Sequence, residues 1–310
     1  MPKTDADKIT ELDYNTLQDD INTIMGTPAG TTETTATGYN QTLLSSQISA
    51  GNKITEVQWD NLRTDITKAY THQFGVAPTI TNVSTSSLIS ASVFNQYETL
   101  ISTVSSDPNR YTVGTGQWTT ATGLTGTLAS GWNGVQYLQF TATFASSNER
   151  KAFFNAGGAI NIVGSIAYTG TEAKTKDWQT MFTNLGTVVF NYKETTSGAG
   201  TDTTGNYDVT TTTWQRLASG VGTSPYAEND ILVDVRQNSA SQLEFRVTLR
   251  DDDAGDRPVP SPPPPYGPLV DENVKGTTTI TVTSKKPNGT SVSVPAPVMA
   301  SASGNTFTIA

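Results

Sequence analysis

Residues 54–60, with the sequence Ile-Thr-Glu-Val-Gln-Trp-Asp, decide how the N-terminal part of the chain folds. The pattern also occurs at residues 9–15 and, more loosely, at residues 89–95. In each copy a hydroxyl side chain stands where a helix N-cap belongs, and it can accept a hydrogen bond from a backbone N–H group of the first turn. These residues are Thr10, Thr55 and Ser90. The pattern therefore predicts three helix starts.

An aromatic residue follows each N-cap by four positions, and an Ile precedes each cap by one. This is the spacing of a hydrophobic staple, and it pairs Ile9 with Tyr14, Ile54 with Trp59 and Ile89 with Phe94. Helices of about three turns are marginal when isolated, so these must pack on each other, on a partner subunit, or on both. We therefore take Tyr14, Trp59 and Phe94 as candidate assembly residues.

Beyond residue 135, short runs rich in Val, Ile, Thr, Tyr and Phe are separated by turn residues. Such residues suit a half-buried pleated surface, and many short strands without long helices between them are typical of a β-sandwich or jelly-roll. Residues 177–182 indicate either a helix or an irregular connection. The expected strands are 135–144, 159–168, 187–193, 207–213, 231–236, 243–250, 277–284, 291–294 and 306–309.

The fold class that follows is mainly β with a small α-helical N-terminal region. Residues 1–116 are expected to form a helical assembly or attachment region, and residues 117–310 a single β-sandwich-type domain. The Pro-rich residues 258–268 predict a polyproline II loop within that domain. The alternative for this loop is a ligand for a partner's groove.

The composition excludes several classes of function. The 310 residues include no Cys, one His, 19 basic and 28 acidic side chains, which gives a net charge of −9. A chain without Cys has no disulfide, thiolate metal site or Cys nucleophile, and one His excludes a multi-His metal site. A negative chain with few clustered Lys or Arg is not expected to bind nucleic acid. The polar N-terminus lacks a signal region, and no apolar run has the length of a membrane span, so we expect no membrane insertion.

The chain is expected not to be an enzyme and to need no cofactor. A Gly-x-Ser-x-Gly nucleophile elbow is absent, and the Gly157-Gly158 pair lacks the Lys of a phosphate-binding loop. His72 lies at the expected end of the second helix, where the helix dipole explains it. A glycosidase pair stays open among dispersed carboxylates, because the sequence does not give their separation. These are Glu149, Asp177, Glu228 and Asp230.

The densest acidic cluster gives weak candidates for a metal site, namely Asp251, Asp253 and Asp256. Crowded carboxylates suit a hard cation such as Ca²⁺. Their spacing does not fit an EF-hand loop, however, and Arg250 and Arg257 beside them would neutralise part of the charge. A solvated turn is therefore the preferred interpretation, and no metal is expected.

Several aromatic residues near expected loops are candidates for stacking on sugar rings, although core packing explains most aromatics of this kind. They are Trp118, Trp132, Trp178, Trp214 and Tyr226.

Two further motifs stand apart from these patterns. Residues 38–65 open with Gly-Tyr-Asn-Gln-Thr and contain the second copy of the helix-start pattern, and residues 150–160 read Arg-Lys-Ala-Phe-Phe-Asn-Ala-Gly-Gly-Ala-Ile. The later motif predicts a strand with Phe153 and Phe154 on opposite faces. Asn155, Gly157 and Gly158 then predict a bulge or tight bend that another backbone approaches closely. These five residues are also candidates for a subunit contact.

Both stretches resemble structural proteins of tailed bacteriophages, notably those of marine cyanophage myoviruses. Residues 38–65 look like the N-terminal region of such proteins, and residues 150–160 resemble a Phe-Phe-Asn-Ala/Ser-Gly-Gly segment in their β-rich parts. The resemblance implies a non-enzymatic virion protein of the tail, neck or fibre, present in several copies and assembled in the host cytoplasm. It also implies other virion proteins of the tail, neck or baseplate as partners, and a homo-oligomer.

The function expected is therefore a structural component that attaches through its N-terminal region and projects a β domain. Two alternatives remain open. One is an adhesin that recognises polysaccharide on the host surface, and the other is a decoration protein of the capsid.

Overall fold

The computed structural model describes residues 2–84, 89–106, 111, 113–253, 271–302 and 307–309. Over these residues the protein is mainly β, with two antiparallel sheets and five helices, three of which precede the first strand. The predicted fold class is confirmed. The Pro-rich residues 258–268 and the metal candidate Asp256 lie outside the described residues.

The N-terminal helices are α1 (Glu11–Met25), α2 (Glu56–Phe74) and α3 (Ala91–Ser106). The first two begin with complete capping boxes: Thr10 with Asp13, and Thr55 with Gln58. In the third, the Ser90 hydroxyl accepts a hydrogen bond from the N–H of Val93 at 3.3 Å. All three predicted helix starts are confirmed.

The N-terminal ends of the three helices lie together. The ring of Trp59 packs edge-on against Tyr14, with centroids 5.4 Å apart, and against Tyr97 at 5.2 Å. The backbone N–H of Lys3 donates to Asn95 of α3, and its ammonium lies 2.7 Å from Asp13 of α1. These contacts join residues of the first two turns of each helix.

The C-terminal ends of α1 and α2 meet the same short segment of chain. The N–H of Gln41 donates to the carbonyl of Met25 at the end of α1. The Gln73 amide, at the end of α2, donates to the Tyr39 hydroxyl at 2.7 Å. Because both their starts and their ends are adjacent, α1 and α2 run in the same direction.

The remaining elements follow in chain order: β1 (Trp118–Leu128), β2 (Gly134–Thr143), α4 (Ser147–Asn155), β3 (Ala159–Ala167), α5 (Ala173–Leu185), β4 (Thr187–Phe190), β5 (Thr195–Ser197), β6 (Gly200–Asp202), β7 (Gln215–Val221), β8 (Asp230–Ser239), β9 (Gln242–Asp251), β10 (Thr277–Pro287), β11 (Val298–Ser301) and β12 (Thr308–Ile309). One sheet has the strand order β12-β1-β10-β3-β4-β5-β6, and the other has the order β11-β2-β9-β8-β7.

The two sheets meet through apolar residues on alternate positions of their strands. In β9 the side chains of Leu243, Phe245, Val247 and Leu249 are buried. The ring of Phe245 stacks on Phe140 of β2 in its own sheet, and it contacts Phe190 of β4 in the other sheet, with centroids 5.4 Å apart. This period of two with one face inward is the pattern of a β-sandwich core.

The chain divides into two compact units, each built from three segments. The helical unit comprises Met1–Thr120, Ser146–Gly158 and Lys285–Ala296, and the β unit comprises Ala121–Ala145, Ala159–Ser284 and Pro297–Ala310. The first crossing lies close to the boundary expected at 116/117. The prediction of one uninterrupted β domain over 117–310 needs correction, because two later segments return to the helical unit.

Several strand predictions also need correction. Residues 207–213 and 291–294 form no strand, although their Val and Thr content suggested one. Strand β1 was missed because its sequence is mostly Thr, Gly and Ala, without the large β-branched and aromatic residues that mark a strand. By contrast, residues 177–182 lie within helix α5, which confirms the helical alternative for that stretch.

Candidate functional site

The three aromatic residues predicted for assembly lie in the core of the helical unit. Tyr14, Trp59 and Phe94 are all buried within their own chain. The Tyr14 hydroxyl donates to the carbonyl of Gln58 at 3.1 Å, which ties α1 to α2. This corrects the prediction: the staple aromatics are inward-facing, and they hold the chain's own helices together.

Phe153 and Phe154 lie on a helix, α4, and not on opposite faces of a strand. Both rings are fully buried and meet edge-on with centroids 5.0 Å apart. The strand prediction was wrong because the helix is amphipathic over only nine residues, too few to make a period of 3.6 evident. The two Phe residues are core residues and are not accessible to another subunit.

The bend predicted at Gly157 and Gly158 is a helix C-terminus. The N–H of Gly158 donates to the carbonyl of Phe153, and the N–H of Gly157 donates to that of Phe154. This pair of bonds is a Schellman motif. Gly157 has φ +78°, and a Cβ there would lie 2.2 Å from the carbonyl oxygen of Tyr111. The predicted close approach of another backbone is confirmed.

Asn155 binds a loop of the same unit. Its buried amide donates to the carbonyl oxygens of Thr37 at 2.7 Å and Gly38 at 3.0 Å. The ammonium of Lys151, one turn earlier, donates to the carbonyl of Gly30 at 2.8 Å. The motif at residues 150–160 thus positions the loop that precedes residue 39.

His72 is a buried, neutral side chain. Its Nε2 lies 3.1 Å from the carbonyl oxygen of Ala156, and since a carbonyl only accepts, this nitrogen carries the proton. Burial lowers the pKa of His72 to about 4. A charged interaction with the helix dipole, as expected from the sequence, is therefore absent at neutral pH, and the residue links α2 to the end of α4.

The exposed apolar residues of the helical unit were missed in the sequence. Leu12 is 72% exposed and Val57 is 66% exposed. Both occupy the position two residues after the N-cap, where the third copy of the pattern has Ser92. On a helix this position points about 200° away from the inward aromatic that follows it by two residues. The repeat therefore places an exposed apolar residue two positions before each of the two buried aromatics.

Asp251 and Asp253 converge on a lysine that sequence reasoning did not identify. The ammonium of Lys174, on the first turn of α5, lies 3.0 Å from Asp251, 3.0 Å from Asp253 and 2.6 Å from Asp271. We call these four residues the Lys174 cluster. The carboxylate oxygens lie within 4.8 Å of one another, as in a metal site. The ammonium, however, already supplies the positive charge that a metal ion would bring.

Three of the four residues of the Lys174 cluster are deeply buried. The side chains of Lys174 and Asp251 have no exposed surface, and that of Asp253 has 1%. Burial raises the pKa of Asp251 to about 7, against the effect of Lys174, and the nearby Asp253 adds to the rise. Burial alone would lower the pKa of Lys174, but its contacts with Asp271, Asp251 and Asp253 outweigh this and raise it.

Most of the aromatic residues considered for sugar stacking are buried or lie against charged side chains. Trp132, Trp178 and Tyr226 are buried. The ring of Trp214 lies against the guanidinium groups of Arg236 and Arg246, 4.4 and 4.5 Å from its centroid. Trp118 is partly exposed, but the ammonium of Lys285 lies 4.0 Å from its ring centroid.

A shallow depression of about 420 Å³ lies on the outer face of the five-stranded sheet. Arg246 and Arg250 in its wall form ion pairs with the buried Asp234 and with Asp230. We call it the β2–β9 depression. Its lining residues are Val135, Tyr137, Gln139, Leu232, Arg246, Thr248 and Arg250.

Two of the four carboxylates considered as glycosidase acids have structural partners. Asp177 accepts hydrogen bonds from the backbone and hydroxyl of Thr223, and Asp230 pairs with Arg250. Glu149 lies in the first turn of α4, and Glu228 is exposed in the turn before β8.

Comparison with protein-family models, with curated proteins and with solved structures finds no match to the chain. Within the part of the chain that the structure describes, no helix is long and apolar enough to cross a membrane.

Proposed function

We propose that the protein is a structural component of a tailed-phage virion, in the tail, neck or fibre, which attaches through its helical unit and projects its β unit. One observation carries the proposal. The two stretches that resemble phage structural proteins, residues 38–65 and 150–160, are far apart in sequence. They are nonetheless bonded to each other, since the Asn155 amide donates to the carbonyl of Gly38.

This bond gives the resemblance a structural meaning. Apart from its last two residues, the second stretch belongs to the helical unit, as the whole of the first does. The resemblance thus concerns one packed unit, and residues 159–284, which make up most of the β unit, lie almost wholly outside it. A shared unit joined to a distinct one is the arrangement expected of an attachment module that carries a projecting module.

The surface available for attachment includes Leu12 and Val57, the exposed apolar residues near the helix N-termini. Their burial against other virion proteins would remove apolar surface from water, at about 25 cal/mol per Å². An aspartate at either position suits the positive end of a helix dipole. The double variant Leu12→Asp/Val57→Asp should therefore fold, and it tests attachment without disturbing the core.

The experiment uses purified virions of the phage that encodes the chain, labelled with antibodies against the protein. We expect label at one position on the tail or neck, in several copies per particle. In reconstitution with purified tail, neck and baseplate components, the Leu12→Asp/Val57→Asp protein should fail to bind. A matched control is Val221→Asp/Val298→Asp, which changes two equally exposed residues on edge strands of the β unit.

The control protein should bind like the wild type. Particles without the protein, or a monodisperse monomer that binds none of these components, would show that the proposal is wrong. Equal binding by both double variants would place the attachment surface elsewhere.

A second candidate function is recognition of host-surface polysaccharide, which the β2–β9 depression favours. The Tyr137 ring offers a stacking face, and the partly exposed guanidinium groups of Arg246 and Arg250 offer donors to hydroxyl groups. Binding on a glycan array that Tyr137→Ala abolishes and Trp118→Ala leaves intact would support this function. Absence of binding across neutral and acidic glycans would contradict it.

A further inference from the structure

The Lys174 cluster brings an amine and a carboxyl group together in the interior of the β unit. The Nζ of Lys174 lies 3.0 Å from Oδ1 of Asp251, and neither side chain has any exposed surface. The carboxylate oxygens of Asp251 are buried, and the side chains that face them are the Lys174 ammonium and a second acidic group, Asp253. Burial of a carboxylate among so few partners costs free energy, so the arrangement needs a physical explanation.

We propose that Lys174 and Asp251 form an intramolecular isopeptide bond, with Asp253 as the group that moves protons between them. The Nζ–Cγ bond forms, the Cγ–OH bond of the carboxylic acid breaks, and one water leaves. No oxidant, reductant or co-reactant is needed. The inference concerns the β unit alone and does not depend on the proposed attachment function.

The two reacting groups must first be neutral, because only a free amine is a nucleophile and only a carboxylic acid has a departing hydroxyl. A single proton transfer from Lys174 to Asp251 gives both neutral forms at once. Burial favours this transfer, since it removes two charges from a region of low dielectric. The high pKa of the Lys174 ammonium opposes the transfer, so the neutral pair is a minor form through which the reaction passes.

The surroundings of Lys174 favour a neutral amine in two further ways. The residue is in the first turn of α5, where the positive end of the helix dipole disfavours a cation. Trp178, four residues later on the same helix face, is fully buried and keeps water away. Both features are those of a lysine adapted for nucleophilic chemistry.

Asp253 and Asp271 differ from Asp251 in ways that assign their roles. Asp253 is held by Asn229, whose buried amide donates to its Oδ2 at 2.8 Å, and it stays within 3.0 Å of the amine. It is placed to take a proton from Nζ during attack and to return it to the departing hydroxyl. Asp271 is 43% exposed and is bound by Asn133, so it remains a hydrated carboxylate.

The bond would join the start of α5 to the end of β9. Replacing a buried ion pair by an amide removes the desolvation cost of two charges. It also closes a long loop of the chain, which constrains the unfolded state. The β unit would then keep a covalent connection even when every non-covalent contact is lost.

Mass spectrometry of the intact, denatured wild-type protein tests the proposal. We expect a mass lower than that of the sequence by one water molecule, and a proteolytic peptide in which Lys174 is linked to Asp251. Lys174→Arg keeps the positive charge but removes the nucleophile, and should have its full sequence mass. The matched control Lys275→Arg changes a half-exposed lysine paired with Glu172 and should stay one water short.

Asp253→Asn should form the bond slowly or not at all, while keeping the shape of the site. A wild-type protein at full sequence mass after prolonged incubation from mildly acidic to mildly basic pH would overturn the proposal. So would a Lys174→Arg protein that is still one water short, because the dehydration would then lie elsewhere. The linked peptide is measured on the wild type alone, so the test does not depend on a variant that folds.

Discussion

The helical unit and the β unit bury polar groups by different means. In the helical unit, several buried side chains bond to the backbone: Asn155 donates to the carbonyl of Gly38, His72 donates to that of Ala156, and the Asp65 carboxylate accepts from the N–H of Ser45. In the β unit, two buried ions are bound instead by charged side chains: Lys174 by carboxylates, and Asp234 by two arginines. A neutral donor costs little to desolvate, whereas a buried ion depends on every partner it has.

The difference follows from what each bond connects. In the helical unit, bonds to the backbone fix loop segments that have no regular partner of their own. In the β unit, the ion pairs connect regular elements whose backbone is already paired: Asp234 joins β8 to β7 and β9, and Lys174 joins α5 to β9. The two units should therefore respond differently to truncation and to pH.

The largest expected effect is that of Trp59→Ala. The Trp59 ring packs between Tyr14 and Tyr97 where the three helices begin, and removal of a buried Trp costs about 3–5 kcal/mol. Hydrogen exchange measured by mass spectrometry should show strong loss of protection in α1–α3 and little change in β8 and β9. Equal loss of protection in both units would mean that they unfold together and do not respond separately.

The next largest effect concerns the pH dependence of stability, which should have opposite signs in the two units. Unfolded His72 binds a proton near pH 6.5, but burial lowers its folded pKa to about 4. The unfolded state therefore gains protons as the pH falls between these values, and the helical unit should lose about 3 kcal/mol. Hydrogen exchange of α2 at pH 7 and pH 4.5 checks this, with His72→Gln as the variant in which the loss should shrink.

Before the proposed Lys174–Asp251 bond forms, the β unit should respond in the opposite direction through the free carboxyl group of Asp251. Its pKa rises from 3.8 to about 7 on folding, so the folded state holds a proton that the unfolded state releases. Stability from this group is present at acid pH and is lost as the pH rises from about 4 to 7. This pH dependence requires a free carboxyl group. Once Asp251 is part of an amide, hydrogen exchange in β9 should show no pH dependence that comes from this residue.

A smaller effect is expected at the C-terminus of α4. Gly157→Ala introduces both an unfavourable φ and a contact with the Tyr111 carbonyl, and should destabilise the helical unit by at least about 2 kcal/mol. Gly51→Ala is the matched control, because Gly51 has φ +84° but no atom within 4 Å of the added Cβ. Equal melting temperatures for the two variants would refute the role given to close packing at Gly157.

The smallest effect is that of Thr55→Ala, which removes one capping box. A lost N-cap costs about 1 kcal/mol, so the melting temperature should fall slightly and exchange should increase only in the first turn of α2. Thr55→Ser should restore the wild-type value. A loss as large as that of Trp59→Ala would show that the cap does more than satisfy backbone N–H groups.

Features that depend on neighbours in sequence could be predicted, such as the three helix starts. A cap and its staple lie within six residues, so the residues that cooperate are visible together. Gly157 and Gly158 were also recognisable as a bend, because positive φ and close backbone approach restrict a position to glycine. Helix α4 was missed because its nine residues are too few to make a period of 3.6 evident.

Features that depend on distant residues could not be predicted. Lys174 is separated from Asp271 by 97 positions, and a lysine in the first turn of a helix has the sequence pattern of a solvated residue. The inward direction of the staple aromatics followed from the repeat, but whether they met each other or a partner depended on packing. Asp251 and Asp253 were predicted to lie in a solvated turn, but both are buried against Lys174, a contact that depends on residues distant in sequence.

The division of the chain into alternating segments also bears on synthesis and on exchange of genes. The helical unit includes Met1–Thr120, yet it is completed only when Lys285–Ala296 has left the ribosome, after strands β1 to β9. The nascent helices must therefore wait for a late segment, and a chaperone or an early partner has time to act. For the same reason, a recombination event with one crossover cannot transfer either unit intact, and any exchange of the β unit between related genes would need several breakpoints.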